Sequence, residues 1–197
     1  DDRPDRLAGD ATPLPGADLV GEGVDPAQLG VDVGHDVHTV DRLGFNRRTL
    51  AASRRIVLDL LAERDLRGVV LVGHSKGGLI GKLVMLDPDA GARVCGMVAL
   101  STPFGGSSLS WPVFRRSPLG VFSPRGRAIL DLSAQRDVNA RIVSLLPTHD
   151  QVIPEGSKLA GARNVTLEVG GHFRPLRDVG VHEAIHDAVH ELEKERP

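Results

Sequence analysis

A serine flanked by glycines is the residue in this chain whose setting is best suited to chemistry. Gly73-His74-Ser75-Lys76-Gly77 follows the continuous apolar run 69–72 and precedes the apolar stretch 79–86. An apolar strand that passes through Gly-x-Ser-x-Gly into a helix indicates a sharp turn, which exposes the serine hydroxyl above the edge of a sheet. We therefore predict that Ser75 is a nucleophile. The alternative is a glycine-rich structural turn that contains an incidental serine.

A serine hydroxyl becomes a good nucleophile when a base removes its proton, and a carboxylate commonly holds that base in place. Asp150 follows the apolar run Ile142–Leu146, and His172 follows the run 165–169 after two glycines. Both runs are predicted strands, and catalytic groups gather at the carboxyl ends of parallel strands. We predict that Ser75, His172 and Asp150 form a catalytic triad. The alternative for Asp150 is a turn residue that bonds to its own backbone.

A second pattern with the elements of catalysis is His182-Glu183-Ala184-Ile185-His186. Two histidines four residues apart share one face of a helix and are able to bind zinc, with the glutamate as base. The alternative is an amphipathic helix whose buried side is Val181, Ile185, Val189 and Leu192. A metalloprotease also needs a third ligand from another element, and only seven residues follow His190, although His172 lies upstream. We therefore expect no metal and no other cofactor. A zinc hydrolase stays a remote alternative, and His35 and His38 receive no role.

The remaining apolar patterns predict alternating strands and helices. Strands are expected at residues 37–40, 69–72, 94–100, 142–146 and 165–169, and helices at residues 49–64, 79–86, 128–132 and 180–194. This alternation is typical of an α/β protein with a parallel sheet and right-handed crossovers. Residues 1–36 are rich in Asp, Gly and Pro, which predicts an irregular N-terminal segment before the core at residues 37–197. We expect a single domain overall.

Composition narrows the class of partner and the compartment. The chain has 197 residues, a net charge of −2 and one cysteine, Cys95, so an internal disulfide is excluded. The weak net charge gives no reason to expect a nucleic-acid partner, and no apolar run approaches the length of a membrane-spanning helix. The first residues are charged and lack a following apolar core, which favours a cytoplasmic protein. A secreted protein whose signal has been removed would have the same sequence.

The motifs together resemble one superfamily. The strand that leads into Gly-His-Ser-Lys-Gly-Gly, the segment Ser101-Thr102-Pro103-Phe104-Gly105-Gly106-Ser107, Asp150 and Gly171-His172 resemble the α/β-hydrolase superfamily. Over roughly residues 37–195 the chain looks most like small bacterial lipases and esterases of the triacylglycerol-lipase type. The resemblance implies a mainly parallel sheet flanked by helices and a serine esterase that works through an acyl-enzyme without a cofactor. A thioesterase or amidase of the same fold, and a catalytically impaired protein that binds a ligand, are left open.

The resemblance also implies an oxyanion hole made of two backbone amides. One would be the amide of Lys76, whose side chain we expect to lie in solvent. The second would follow an earlier strand, yet no strand rich in Val, Ile or Leu precedes residue 37. The resemblance therefore implies a minimal or N-terminally degraded form of the fold.

A group of large apolar residues bears on the substrate. Phe104, Leu109, Trp111, Phe114 and Phe122 lie in the Gly/Ser/Pro-rich segment 101–124. Such residues are able to line an acyl pocket or to form a lid over it. They predict a small-molecule ester substrate with an apolar acyl group. The alternative is a loop that packs over the core.

Overall fold

A parallel β-sheet forms the centre of the protein. The computed structural model describes residues 18–19, 35–44, 48–108 and 123–195. Its strands lie side by side in chain order, and each neighbouring pair is parallel: β1 (Asp18–Leu19), β2 (Val69–His74), β3 (Val94–Leu100), β4 (Ile142–Leu146) and β5 (Arg163–Thr166). The prediction of an α/β fold with a mainly parallel sheet is confirmed.

Helices connect these strands and cover the sheet. Within the described ranges they are α1 (Leu50–Glu63), α2 (Lys76–Met85), α3 (Pro88–Gly91), α4 (Arg127–Ala134) and α5 (Val179–Lys194). The two longest helices, α1 and α5, are each capped at the N-terminus by a side chain. The Thr49 hydroxyl accepts the amide of Ala52 before α1, and the Asp178 carboxylate accepts the amide of Val181 before α5, each at 3.2 Å. These caps satisfy amides that the first turn of a helix leaves without a partner.

The central strands are buried on both faces. Successive side chains of a strand point to opposite sides of a sheet, so alternate residues enter different layers. Leu71 and Met97 pack into a layer that contains residues of α1 and α2, whereas Val70 and Val98 pack into a layer that contains Ile185 of α5. Burial on both faces explains why these strands are continuous apolar runs in the sequence.

Two predicted strands differ from the structure. Residues 37–40 form no strand; Val40 is buried, and its carbonyl oxygen accepts the amide of Leu43 at 3.0 Å in a short 3-10 turn. The run 165–169 stays in the sheet only as far as Thr166, since its partner β4 ends at Leu146. Its later apolar residues, Leu167 and Val169, are still buried in the layer beneath α5. Their alternation reflects packing and not a continued strand ladder.

The shortest strand lies inside the segment that composition predicts to be irregular. β1 pairs Asp18 with Leu71 and Leu19 with Val72, beside the strand that leads to Ser75. Two residues have no periodicity for a sequence pattern to detect. The domain division at residue 37 stays a prediction. In the part of the chain that the structure describes, no helix combines the length and the apolar character needed to cross a membrane.

Candidate active site

Ser75 occupies the sharp turn between β2 and α2. Its backbone has φ 54° and ψ −119°, a conformation that costs a non-glycine residue about 1–3 kcal/mol. The amide of Ser75 donates to the carbonyl oxygen of Leu100 at 2.9 Å, which ties the turn to β3. A Cβ atom at Gly73 would lie 2.6 Å from the carbonyl carbon of Gly77, so this close approach requires glycine. The surrounding contacts therefore hold Ser75 in the strained turn.

The structure brings the three predicted triad residues together. His172 Nε2 lies 3.0 Å from Ser75 Oγ, and His172 Nδ1 lies 2.8 Å from Asp150 Oδ2. The side chains of His172 and Asp150 are 2% and 3% exposed. All three residues stand at the carboxyl edge of the sheet, just after β2 or in the loops that follow β4 and β5. The arrangement is a continuous hydrogen-bonded chain from a carboxylate to a hydroxyl.

The loop after β4 fixes the orientation of Asp150. Its Oδ1 atom accepts the amides of Val152 and Ile153 at 2.8 and 3.0 Å, while Oδ2 faces His172. Asp150 is therefore a turn residue and the partner of His172 at the same time, so the two interpretations of the sequence are compatible. The two amide hydrogen bonds hold the carboxylate against rotation. In this orientation Oδ2 is placed to accept a hydrogen bond from the Nδ1–H of His172.

The loop that carries His172 is bonded directly to the loop that carries Asp150. Thr148 donates its amide to Val169 at 3.1 Å, and Gly171 donates its amide to His149 at 2.8 Å. Gly171 has φ 100°, which favours glycine, and the ring of His149 lies against Gly170 so closely that a Cβ there would be 2.0 Å from Cε1. These contacts set the distance between Asp150 and His172.

A second imidazole supports the backbone of His172. His74, inside the serine turn, donates from Nε2 to the carbonyl oxygen of His172 at 2.9 Å. Burial lowers the pKa of His74 to about 4, so its ring is neutral at neutral pH. A neutral His74 ring places no positive charge beside the triad. The sequence pattern gave no signal for this role, because the two histidines are far apart in the chain and meet only in the folded protein.

Lys76, the residue after Ser75, differs from the expectation for its side chain. The side chain is not in solvent: Lys76 is 7% exposed and Nζ donates to the carbonyl oxygen of Arg48 at 2.6 Å. Its backbone amide belongs to the first residue of α2, at the positive end of the helix dipole. The buried side chain fastens the start of α2 to the segment before α1.

The predicted apolar group falls mainly on residues outside the described ranges. Phe104 is 5% exposed, belongs to the hydrophobic core, and its carbonyl oxygen accepts a hydrogen bond from Ser133 Oγ of α4 at 3.4 Å. This position fits the alternative of a loop packed over the core. Leu109, Trp111, Phe114 and Phe122 lie outside the residues that the structure describes.

The histidines of the His-Glu-x-x-His pattern make separate contacts. His182 Nε2 donates to the carbonyl oxygen of Leu176 at 3.0 Å, whereas His186 Nε2 lies 3.1 Å from Nε2 of His190, one turn further along α5. Val181, Ile185, Val189 and Leu192 are buried, as the alternative of an amphipathic helix predicts. The structure therefore does not present His182 and His186 as a ligand pair.

Comparison with known proteins adds information on the fold. No family model matches the chain, and no curated protein matches it. A lipase from Bacillus licheniformis superimposes with a TM-score of 0.62 at 14% identity, over 90% of this chain and 93% of that one. Alpha/beta hydrolase domain-containing protein 10 from mouse gives 0.62 at 14% identity, over 92% of each chain. A monoacylglycerol lipase from Paleococcus ferrophilus gives 0.57 at 15% identity, over 90% of this chain and 93% of that one.

Identities this low carry information about architecture only. The parallel sheet in chain order, the strand, sharp turn and helix around Ser75, and the similarity over most of each compared chain agree with one another. The chain has the α/β-hydrolase fold.

Proposed function

We propose that the protein is a serine hydrolase that cleaves carboxylic esters through an acyl-enzyme. The main support for this proposal is the series of hydrogen bonds from Asp150 through His172 to Ser75, which lies in a strained turn. A hydroxyl 3.0 Å from an imidazole nitrogen is within reach of proton transfer. The lipases among the similar structures share this fold, and ester hydrolysis is the activity we expect here.

Acylation begins when Ser75 Oγ attacks the ester carbonyl carbon and its proton passes to His172 Nε2. Asp150 accepts a hydrogen bond from the Nδ1–H of His172 throughout without taking that proton, and it stabilises the imidazolium. The carbonyl oxygen becomes an oxyanion, which the amide of Lys76 stabilises from the start of α2. When the tetrahedral intermediate collapses, the bond to the alcohol oxygen breaks and His172 donates its proton to the leaving alkoxide.

Deacylation repeats these steps with water as the nucleophile. His172 Nε2 takes a proton from a water molecule as its oxygen attacks the acyl carbon of the ester formed on Ser75. Collapse of the second intermediate releases the carboxylic acid and returns the proton to Ser75 Oγ. Every proton moves between Ser75, His172, the leaving alcohol and water, so the reaction balances without a cofactor.

The second oxyanion donor is expected from the chain that follows β1. Because β1 runs parallel to β2, its carboxyl end lies at the same edge of the sheet as Ser75. The segment 20–34, which follows β1, lies outside the residues that the structure describes. Loss of one donor typically lowers turnover by about 10²–10³-fold. If the chain lacks this second oxyanion donor, the alternative of a catalytically impaired binding protein applies.

A fluorophosphonate probe and short p-nitrophenyl esters test the proposal. We expect the pure protein to be labelled on Ser75 and to hydrolyse the esters, and Ser75→Ala to abolish both. Ser108→Ala is the matched control, because Ser108 is an exposed serine on a neighbouring loop and should not change labelling. A folded wild-type protein that is neither labelled nor active on any ester would exclude the hydrolase and leave the binding protein.

Thioester and anilide substrates of the same acyl group separate the enzymatic alternatives. A thioesterase would show higher kcat/KM on the thioester than on the matched oxygen ester, and an amidase would cleave the anilide. We expect the oxygen ester to be preferred, with an apolar acyl group. An esterase, a thioesterase and an amidase would all be labelled on Ser75 by the fluorophosphonate probe. The comparison of substrates therefore identifies the substrate class, and the labelling identifies the nucleophile.

A further inference from the structure

A second cluster of polar side chains lies away from the triad, where the last turns of α5 meet the segment 35–44. His35 Nδ1 lies 3.5 Å from Glu193 Oε1, and His190 Nδ1 lies 3.4 Å from Glu193 Oε2. Three ligand atoms from His35, His190 and Glu193 lie within 4.8 Å of one another. The cluster joins residues that are remote in sequence, and the proposed hydrolase reaction does not use them.

Hydrogen bonding does not account for the burial of His35. Its side chain is 8% exposed, and Nε2 is buried with no hydrogen-bond partner among the described residues. Its Nδ1 atom faces Glu193 at 3.5 Å, which is longer than a good hydrogen bond of about 2.7–3.2 Å. Burying an imidazole without strong hydrogen bonds is unfavourable. A metal ion bound to Nδ1 would give the buried ring one strong bond on the side that faces Glu193, while Nε2 would still lack a hydrogen-bond partner among the described residues.

The separations match those of ligands around a tetrahedral ion. Zinc binds nitrogen and carboxylate oxygen at about 2.0–2.2 Å, so two ligand atoms of a tetrahedral site are about 3.3–3.5 Å apart. The two nitrogen-to-oxygen distances, 3.5 and 3.4 Å, lie in this range, and each involves a different oxygen of Glu193. Because ligand atoms of the three residues lie within 4.8 Å of one another, small side-chain movements would bring them around one ion. A mixture of imidazole and carboxylate donors favours zinc and similar transition metals over calcium or magnesium.

His186 lies beside His190, where it would hold a metal-bound His190 in place without contacting the ion itself. Its Nε2 atom lies 3.1 Å from Nε2 of His190, whose other nitrogen faces Glu193. A metal-bound histidine normally donates its second ring N–H to an acceptor, which fixes the tautomer and the ring orientation. With His190 bound to a metal through Nδ1, its Nε2–H would donate to His186. His186 is thus a positioning residue.

The geometry points to a binding site for a zinc-type divalent cation formed by His35, His190 and Glu193, with His186 positioning His190. The His190 side chain is 42% exposed, so the ion would be reached from solvent, and water would complete its coordination. The ion would fasten the segment 35–44 to the C-terminal helix. This structural role is independent of the triad, so the hydrolase proposal and the metal proposal can fail separately.

Calorimetric titration of the metal-free, full-length protein with Zn²⁺ tests the site. We expect one ion per chain and a raised melting temperature in the presence of Zn²⁺. His186→Gln should weaken binding about 10–100-fold, because His186 only positions a ligand. His190→Gln and His35→Gln each remove a ligand and should weaken binding at least as much. His182→Gln is the matched control: it removes a histidine from the same helix that bonds to Leu176 instead, and Zn²⁺ affinity should not change.

The proposal is overturned if the wild-type protein binds no stoichiometric Zn²⁺, or if His35→Gln and His190→Gln both bind it as the wild type does. Loss of binding in His182→Gln with retention in His35→Gln would also overturn it, and would assign zinc to the His-Glu-x-x-His pattern. The half-exposed His190 is a site where substitution should leave the fold intact, which circular dichroism would verify. That variant decides the question even if His35→Gln does not fold.

Discussion

Lys82 on α2 provides a prediction that follows quantitatively from the structure. Its side chain is fully buried, and Nζ donates to the carbonyl oxygen of Leu132 at 2.9 Å. Burial, with a smaller contribution from the charge of Arg136, lowers the pKa of Lys82 from 10.5 to about 8. At about 1.4 kcal/mol for each pH unit, that difference corresponds to about 3 kcal/mol of unfavourable free energy for the charged form.

This cost depends on pH in a definite direction. Below about pH 8 Lys82 is protonated in both the folded and the unfolded chain, so the folded protein bears the whole cost. Between about pH 8 and 10.5 the unfolded chain binds a proton that the folded protein has released, so the free energy of unfolding contributed by Lys82 rises with pH. The charged lysine therefore destabilises the protein most at neutral and acid pH.

Lys82→Met keeps a long side chain and removes the charge. Losing a neutral hydrogen bond to Leu132 costs about 1 kcal/mol. Removing the charge relieves a cost of about 3 kcal/mol, which exceeds the loss of the hydrogen bond. We therefore expect the variant to be about 2 kcal/mol more stable than the wild type at neutral pH. Above the ordinary lysine pKa it should be about 1 kcal/mol less stable, because only the lost hydrogen bond remains.

Urea unfolding followed by circular dichroism at about pH 7, 8, 9 and 10 measures this difference. Lys158→Met is the matched control, since Lys158 is exposed and its substitution should change stability little at any pH. A difference between Lys82→Met and the wild type that stays constant across these pH values would refute the reasoning. It would mean that Lys82 is not held in a low-dielectric site.

Two further predictions concern the candidate active site, and both use the rate of fluorophosphonate labelling. Asp150→Asn keeps the oxygen that accepts the amides of residues 152 and 153 but turns an N–H toward His172. The ring then adopts the tautomer that cannot take the Ser75 proton, so labelling should slow by about 10⁴-fold at unchanged melting temperature. A loss below about 10-fold would contradict the role of the carboxylate. Gly170→Ala places a Cβ 2.0 Å from the His149 ring, which must move and disturb the two loops; labelling should slow at least about 10-fold. Adding His149→Ala should restore the rate, and a double variant as slow as the single one would argue against the clash.

The sequence was enough to locate the three central strands of the sheet and to predict that the three triad residues lie close together. Runs such as Val94–Leu100 and Ile142–Leu146 are strands as predicted, because burial on both faces demands continuous apolar residues. Ser75, Asp150 and His172 each follow such a run closely, so their proximity follows from the rule that parallel strands share a carboxyl edge. The glycines of the serine turn are similarly local requirements, set by atoms within a few residues.

Features that depend on partners far along the chain became visible only in the folded protein. The apolar patterns at 37–40 and 165–169 predict strands, yet residues 37–40 pair with no strand among the described residues, and β5 ends at Thr166, opposite the last residue of β4. The Lys76 side chain, expected in solvent, is instead buried and donates to the carbonyl oxygen of Arg48, and Lys82 is buried against the carbonyl oxygen of Leu132. His74 supports His172 across about half of the chain, and His35 contacts the last turns of α5 from a still more distant position in the sequence. Periodicity reports which side of an element is buried, whereas only the folded chain determines which polar atoms meet there.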